Sequence, residues 1–251
     1  MINKRLAGVI TVKDGWAVQS FGFRSYLPLG RPEVLAENLD RWGADEIILQ
    51  CIDRGGRGPD LELLGRVSRG GLSTPVIYAG GIRTEKDGRA AVKAGAERIG
   101  VDALLHDSPQ TLVDLVGCLG AQALVAMLPV SCAEEGAELA WLDYRSGNEQ
   151  PLSAELKQLF QDGLISEAML IDWRHEGSTN AFDGRLLDAF PLGDIPLIAF
   201  GGLSEVAQLK AALAHPRVVA VAVGNFLSYR EHAIGKYKQQ LQESPLRPHA
   251  V

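Results

Sequence analysis

The chain has 251 residues, 46% hydrophobic and 22% charged, an ordinary globular composition long enough to bury one large core. Its 31 acidic and 25 basic residues leave a net charge of −6, and no Lys/Arg stripe interleaves with aromatics, which argues against nucleic acid as a partner. Cys51, Cys118 and Cys132 lack CxxC spacing, so neither a disulfide framework nor a zinc site is indicated, and a reducing cytoplasm is the expected compartment.

In chain order, the first apolar stretch is ended by Lys13 and Asp14, well short of the roughly 18 residues a membrane helix needs, so neither a membrane span nor a signal peptide is expected. Short β-branched or apolar runs follow one another at 8–12, 47–51, 76–79, 99–101, 123–128, 168–172, 197–200 and 218–223, each with the length of a buried strand. The segments between them, such as 32–42 and 84–94, place apolar residues three and four apart and predict amphipathic helices. Eight such alternations predict an α/β chain folded as one closed (β/α)8 TIM barrel over residues 1–251.

An internal repeat adds to this expectation. Pro75-Val-Ile-Tyr-Ala-Gly-Gly-Ile82 matches Pro196-Leu-Ile-Ala-Phe-Gly-Gly-Leu203, and Glu46 matches Glu167 at the same offset of 121 residues. The chain therefore reads as two fused half-barrels, about 1–121 and 122–251. Between the fifth strand and its helix, residues 138–144 and the turn Ser146-Gly147-Asn148 predict a hairpin on the C-terminal face.

Gly80-Gly81 and Gly201-Gly202 each end a strand and precede a helix. Glycine admits close backbone approach and a helix N-terminus suits an anion, so these pairs are candidate sites for a phosphorylated small molecule, though tight βα turns use glycine without any ligand. Gly224-Asn225 after the eighth strand offers further donors to the second pair. In the first half, Asp102 occupies the corresponding place, where a carboxylate repels phosphate by about 1 kcal/mol at 4 Å in water and by more at lower dielectric.

The half-barrel repeat, the turn Gly80-Gly81-Ile82-Arg83-Thr84, and the opening Lys4-Arg5 with Val12-Lys13-Asp14-Gly15 together resemble the cyclase subunit of imidazole glycerol phosphate synthase, over residues 1 to about 241. The resemblance implies a barrel that takes ammonia from a separate glutaminase subunit at its N-terminal face and uses it on a bis-phosphorylated ribulosyl imidazole precursor, without a cofactor. It implies an ammonia entrance formed by Arg5, Glu46, Arg98 and Glu167, with Glu97 facing the glutaminase. The same four charges would also serve as barrel-floor salt bridges.

At the other end the chain departs from the family. Thr11 and Leu128 stand where the resemblance implies the two catalytic aspartates, Cys51 stands for a further aspartate, and Gln19 for a lysine. The family reaction is therefore expected to be lost or much reduced. Relatives lacking the first aspartate occur in surface-glycan amidation systems, which implies a role in making an aminated sugar. A rebuilt site on Asp172, His175 and Glu176 would instead keep the chain an active lyase of histidine biosynthesis or another phosphosugar enzyme, unless those residues are a solvated loop. A non-catalytic scaffold that activates a partner is a third reading. His106, His215, His232 and His249 are scattered singly, so no metal site is expected.

Overall fold

The computed structural model describes residues 3–133, 138–242 and 244–247, which leaves His249 outside the described residues. Strand β1 (Arg5–Lys13) runs directly into an antiparallel hairpin, β2 (Trp16–Phe21) and β3 (Ser25–Gly30). Helix α1 (Pro32–Arg41) leads to β4 (Glu46–Cys51), α2 (Leu61–Arg69) to β5 (Val76–Ala79), and α3 (Glu85–Lys93) to β6 (Arg98–Val101). A short α4 (Leu104–Asp107) and α5 (Pro109–Leu119) precede β7 (Leu124–Cys132), which runs into a second hairpin, β8 (Leu139–Asp143) and β9 (Asn148–Pro151). The rest is α6 (Ala154–Gln161), β10 (Glu167–Asp172), α7 (Arg185–Ala189), β11 (Leu197–Phe200), α8 (Val206–Ala214), β12 (Val218–Val223) and α9 (Ala233–Gln240).

Eight of these strands close a parallel barrel in the order β1, β4, β5, β6, β7, β10, β11, β12 and back to β1. Closure leaves no sheet edge among the barrel strands, and the helices cover the outside. Each half opens with a strand that continues into a hairpin, β1 into β2–β3 and β7 into β8–β9, so the duplication extends beyond the glycine turns. The expected hairpin after the fifth barrel strand is present. The one after the first was not expected; its first strand is a short buried run, Ala17 to Ser20, followed by Gly22 at positive φ.

Local chemistry sets the helix starts. Pro32 occupies the first turn of α1, Asp60 accepts from Leu63 N at 3.0 Å at the head of α2, and Thr84 with Asp87 forms a capping box on α3. Strand alternation divides the core in two. Ala7, Ile48, Val125, Met169, Ile198 and Ala220 belong to an apolar cluster inside the barrel, while Ile10, Leu49, Leu128 and Leu170 belong to the larger one between strands and helices. Asp45, at the foot of β4, accepts from Leu6 N at 2.8 Å and pairs with buried Lys238 at 2.7 Å, fastening α9 to the barrel floor.

Among the described residues no helix is long and apolar enough to cross a membrane, and no three metal-ligating side chains gather. The three cysteines are free.

Candidate functional site

Arg5, Glu46, Arg98 and Glu167 are the first residues of β1, β4, β6 and β10, so the barrel brings four charges of alternating sign to one level at its N-terminal end. Glu167 Oε2 accepts from Arg5 at 2.7 Å and from Arg98 at 2.8 Å, and Glu46 lies 3.8 Å and 3.6 Å from the same two guanidiniums. The four form a closed ring.

The two carboxylates differ. Burial dominates at Glu46, which is almost fully enclosed, and raises its pKa. At Glu167 burial also opposes ionisation, but the arginine charges and their short hydrogen bonds outweigh it and hold the carboxyl below its usual range. Arg5 Nε and Glu46 Oε2 are buried without a hydrogen-bond partner. Above the ring lies the apolar barrel interior, and Glu97 is exposed beside Arg98 at the same end.

At the opposite mouth lies a cavity of about 330 Å³ whose walls include Gln50, Gly80, Gly81, Asp102, Pro129 and Ile171. Phe23 and Tyr26 of the first hairpin and Leu142 and Tyr144 of the second also line it. Asp102, just past the end of β6, is half-buried in this wall with its Oδ1 enclosed. Burial pushes its pKa up to about 7, and Asp143 adds to the effect, while the Trp141 indole, Arg145 and Arg83 offset only part of it. Trp141 lies near enough to matter but completes no hydrogen bond: its Nε1 and Asp102 Oδ1 are both buried and unpartnered. Gln50 Oε1 is a second unpartnered buried acceptor in the same cavity wall. Behind Asp102, His106 stacks on Trp141 with ring centroids 3.5 Å apart, and burial lowers its pKa to about 4.

The chain's own packing requires glycine at both pairs. A Cβ on Gly81 would lie 2.4 Å from Gly58 O, and one on Gly202 would lie 2.7 Å from Phe182 N, so the preceding βα loop packs against each pair, while Gly80 and Gly81 still line the mouth cavity. In the first half Arg83 N and Thr84 N both donate to Asp87, at 3.1 Å and 2.9 Å, placing an internal carboxylate where an external anion would bind. In the second half the Asn225 amide is committed to β2: it accepts from Ser20 N at 3.1 Å and donates to Ser20 O at 2.6 Å. Gly224 and Asn225, with Thr11, line a separate cavity of about 220 Å³ against α1.

The loop after β10 differs from expectation as well. Asp172 and Glu176 are neither solvated nor in the walls of the mouth cavity. Ile171 faces the barrel axis, so alternation turns Asp172 away, where it accepts from His175 Nδ1 and Asp183 N, both at 2.8 Å. Glu176 accepts from Ser20 Oγ at 2.9 Å and pins the first hairpin. Burial raises the pKa of both carboxyls.

The same alternation corrects one position at the end of β7. Leu128 packs outward against the helices, and the residue facing the mouth is Pro129. Neither can exchange a proton. Cys51 is buried in the mouth wall, and burial pushes its thiol up to about 12, so it is not a nucleophile at neutral pH.

Residues 5–233 match the profile of the family described as histidine biosynthesis protein. The chain belongs to this family. Among histidine biosynthesis relatives it is 26% identical over 250 residues to a Vibrio vulnificus (strain YJ016) protein provisionally named imidazole glycerol phosphate synthase subunit hisF2, covering 98% of this chain and 91% of the relative. It is 25% identical over 246 residues to the imidazole glycerol phosphate synthase subunit HisF of Natranaerobius thermophilus, with 97% of each chain covered. Against the subunit HisF of Bacillus licheniformis it is 27% identical over 249 residues, with 97% and 98% covered.

Within this histidine biosynthesis barrel, the structure brings together the four ring charges expected from the sequence and keeps Asp172, His175 and Glu176 out of the walls of the mouth cavity. Asp172 and Glu176 are buried and His175 is partly exposed beside Asp172, while Gln50 and Asp102 line the cavity. Asp102, expected from the sequence only to repel phosphate, is the carboxyl that lines the mouth cavity. Asp102 lies beside Trp141, 39 residues further along the chain, which no local pattern announces.

Proposed function

We propose that this chain is the ammonia-receiving barrel subunit of a glutamine-dependent amidotransferase complex. A glutaminase subunit docks over the N-terminal face, and ammonia passes the ring of Arg5, Glu46, Arg98 and Glu167 to an acceptor at the mouth, in a reaction such as amination of a sugar for a surface glycan. The observation that carries the reading is the closed ring placed under an apolar barrel interior. Neutral ammonia crosses such an interior at far lower cost than ammonium, so a charged ring at its foot suits an entrance that admits the neutral molecule. A ring serving stability alone would have no use for leaving Arg5 Nε and Glu46 Oε2 buried and unpartnered.

The relatives named as imidazole glycerol phosphate synthase subunits supply the likeness to a synthase complex. The parent cyclisation is lost or strongly reduced, because Thr11 and Pro129 replace acid–base groups and Thr11 lines a different cavity from Asp102. A rebuilt acid–base site is the second reading, and Asp102 is the observation in its favour, since it is the carboxyl of the mouth cavity and titrates near neutrality.

Docking is tested by co-expressing the chain with the glutaminase subunits of its own genome. A complex is expected, and Glu97→Lys, which reverses an exposed charge beside the ring, is expected to weaken it about tenfold, equivalent to about 1.4 kcal/mol. A chain that purifies alone in every such pairing overturns the reading.

A further inference from the structure

We infer that the cavity between α1 and the end of β12 is a binding site, separate from the mouth, for a small uncharged molecule with an apolar ring and a hydroxyl group. This goes beyond the ammonia reading and does not depend on it.

The cavity measures about 220 Å³ and shares no lining residue with the mouth cavity. It opens where four parts of the fold meet: β1, both strands of the first hairpin, the core-facing side of α1 at Leu35 and Leu39, and the turn Asn225–Ser228 after β12. Helix α1 cannot move inward to fill it, because Leu39 already rests on β1: a Cβ on Gly8 would lie 2.6 Å from its Cδ1. A dry apolar cavity of about 150 Å³ suffices for benzene, so this one has room for a substituted ring.

The polar part of the ligand is set by Thr11. Its side chain lines the cavity at 6% exposure, and its hydroxyl has no hydrogen-bond partner among the described residues. The oxygen keeps accessible surface, unlike the sealed Asp102 Oδ1. Asn38, also in the wall, accepts from Arg41 at 2.6 Å through its carbonyl, and its NH2 group likewise has no partner among the described residues. An enclosed hydroxyl without a partner is costly, and a ligand hydroxyl can both donate to Thr11 and accept from it. Charge is excluded by the rest of the wall. No charged side chain lines the cavity among the described residues, so an ionised ligand would lose its water without gaining a counter-charge. The Asn225 amide, which could have met an anion, is spent on Ser20 at 3.1 Å and 2.6 Å.

The probes are 4-methylphenol and toluene, each titrated into the isolated full-length chain and followed by ligand-observed NMR. The native chain is expected to bind both. Thr11→Val keeps the side-chain volume and removes the hydroxyl, and it is expected to weaken 4-methylphenol about fivefold, the worth of one hydrogen bond, while leaving toluene unchanged. Leu35→Trp, at a partly exposed position in the wall, is expected to fill the cavity and abolish binding of both probes, whereas Tyr144→Ala, in the wall of the mouth cavity, is expected to leave both unchanged. Phenyl phosphate at equal concentration is expected not to displace 4-methylphenol. No binding of either probe at millimolar concentration, an equal effect of Thr11→Val on the two, binding that survives Leu35→Trp or is lost in Tyr144→Ala, or displacement by phenyl phosphate overturns the inference.

Discussion

Replacing Glu167 by alanine is expected to lower the unfolding free energy by about 3 kcal/mol at pH 7, the lower end of the cost of breaking a buried pair from one side. Glu167 accepts the ring's two shortest hydrogen bonds, and its loss leaves Arg5 and Arg98 facing only Glu46, at 3.8 Å and 3.6 Å. The four side chains are between 4% and 16% exposed, too enclosed for water to take over. The pH dependence has a definite sign. The Glu167 carboxyl is held below its usual value, so its contribution is fully present above the unfolded value near 4.5 and is lost as pH falls through the folded one. Urea midpoints measured from pH 7 down to pH 3 should show the native and variant curves converging in acid, with an unchanged denaturant slope. A gap below about 0.5 kcal/mol at pH 7 would show that the ring behaves as an exposed, screened network.

Asp102→Asn should do the reverse and stabilise the protein at alkaline pH. Burial raises the Asp102 pKa from 3.8 to about 7, so the native state holds a proton that the unfolded chain has already released. For a carboxyl raised on folding, stability is fully present below the unfolded value and is lost as pH rises through the folded one. The native protein therefore gives up about 2–4 kcal/mol between pH 4 and pH 8 that an asparagine does not. The variant should gain little at pH 4 and most of that amount at pH 8, measured as a difference in urea midpoint at each pH. An equal effect at both pH values would place the Asp102 carboxyl in contact with water and remove it from the cavity wall.

These expectations depend on features of unequal legibility in the sequence. The barrel was readable because each parallel strand is buried on both faces and so appears as a short unbroken apolar run. The half-barrel repeat was readable because Gly80-Gly81 and Gly201-Gly202 sit under equivalent loops and admit no Cβ. The ring was readable for a similar reason: its members are the first residues of their strands, and strand starts fall at one level of a closed barrel. No pattern of residues 128–129 alone tells which one faces the axis. Pro129 stands opposite Ile171 in the register of β7 with β10, and that pairing decides it.

The mouth was less legible because its chemistry is set by distant partners. Glu176 looked available, yet its acceptor capacity is spent on Ser20 and Phe23, more than 150 residues earlier in the chain. Asn225 looked like a donor for an anion, and instead it completes the edge of β2. Glycine pairs are ambiguous on principle, since close approach by a ligand and close approach by the chain's own loop demand the same residue. Here the preceding loop packs on each pair, and Gly80 and Gly81 also line the mouth cavity.

The most direct test of the central claim is an assay of the purified chain with the bis-phosphorylated ribulosyl imidazole precursor and high free ammonia at alkaline pH, which removes any need for a glutaminase. Turnover is expected to be absent or far below that of an ordinary cyclase subunit, because Thr11 and Pro129 cannot exchange protons. Turnover at the rate of an ordinary cyclase subunit would contradict it and make this chain a synthase subunit with a relocated acid and base.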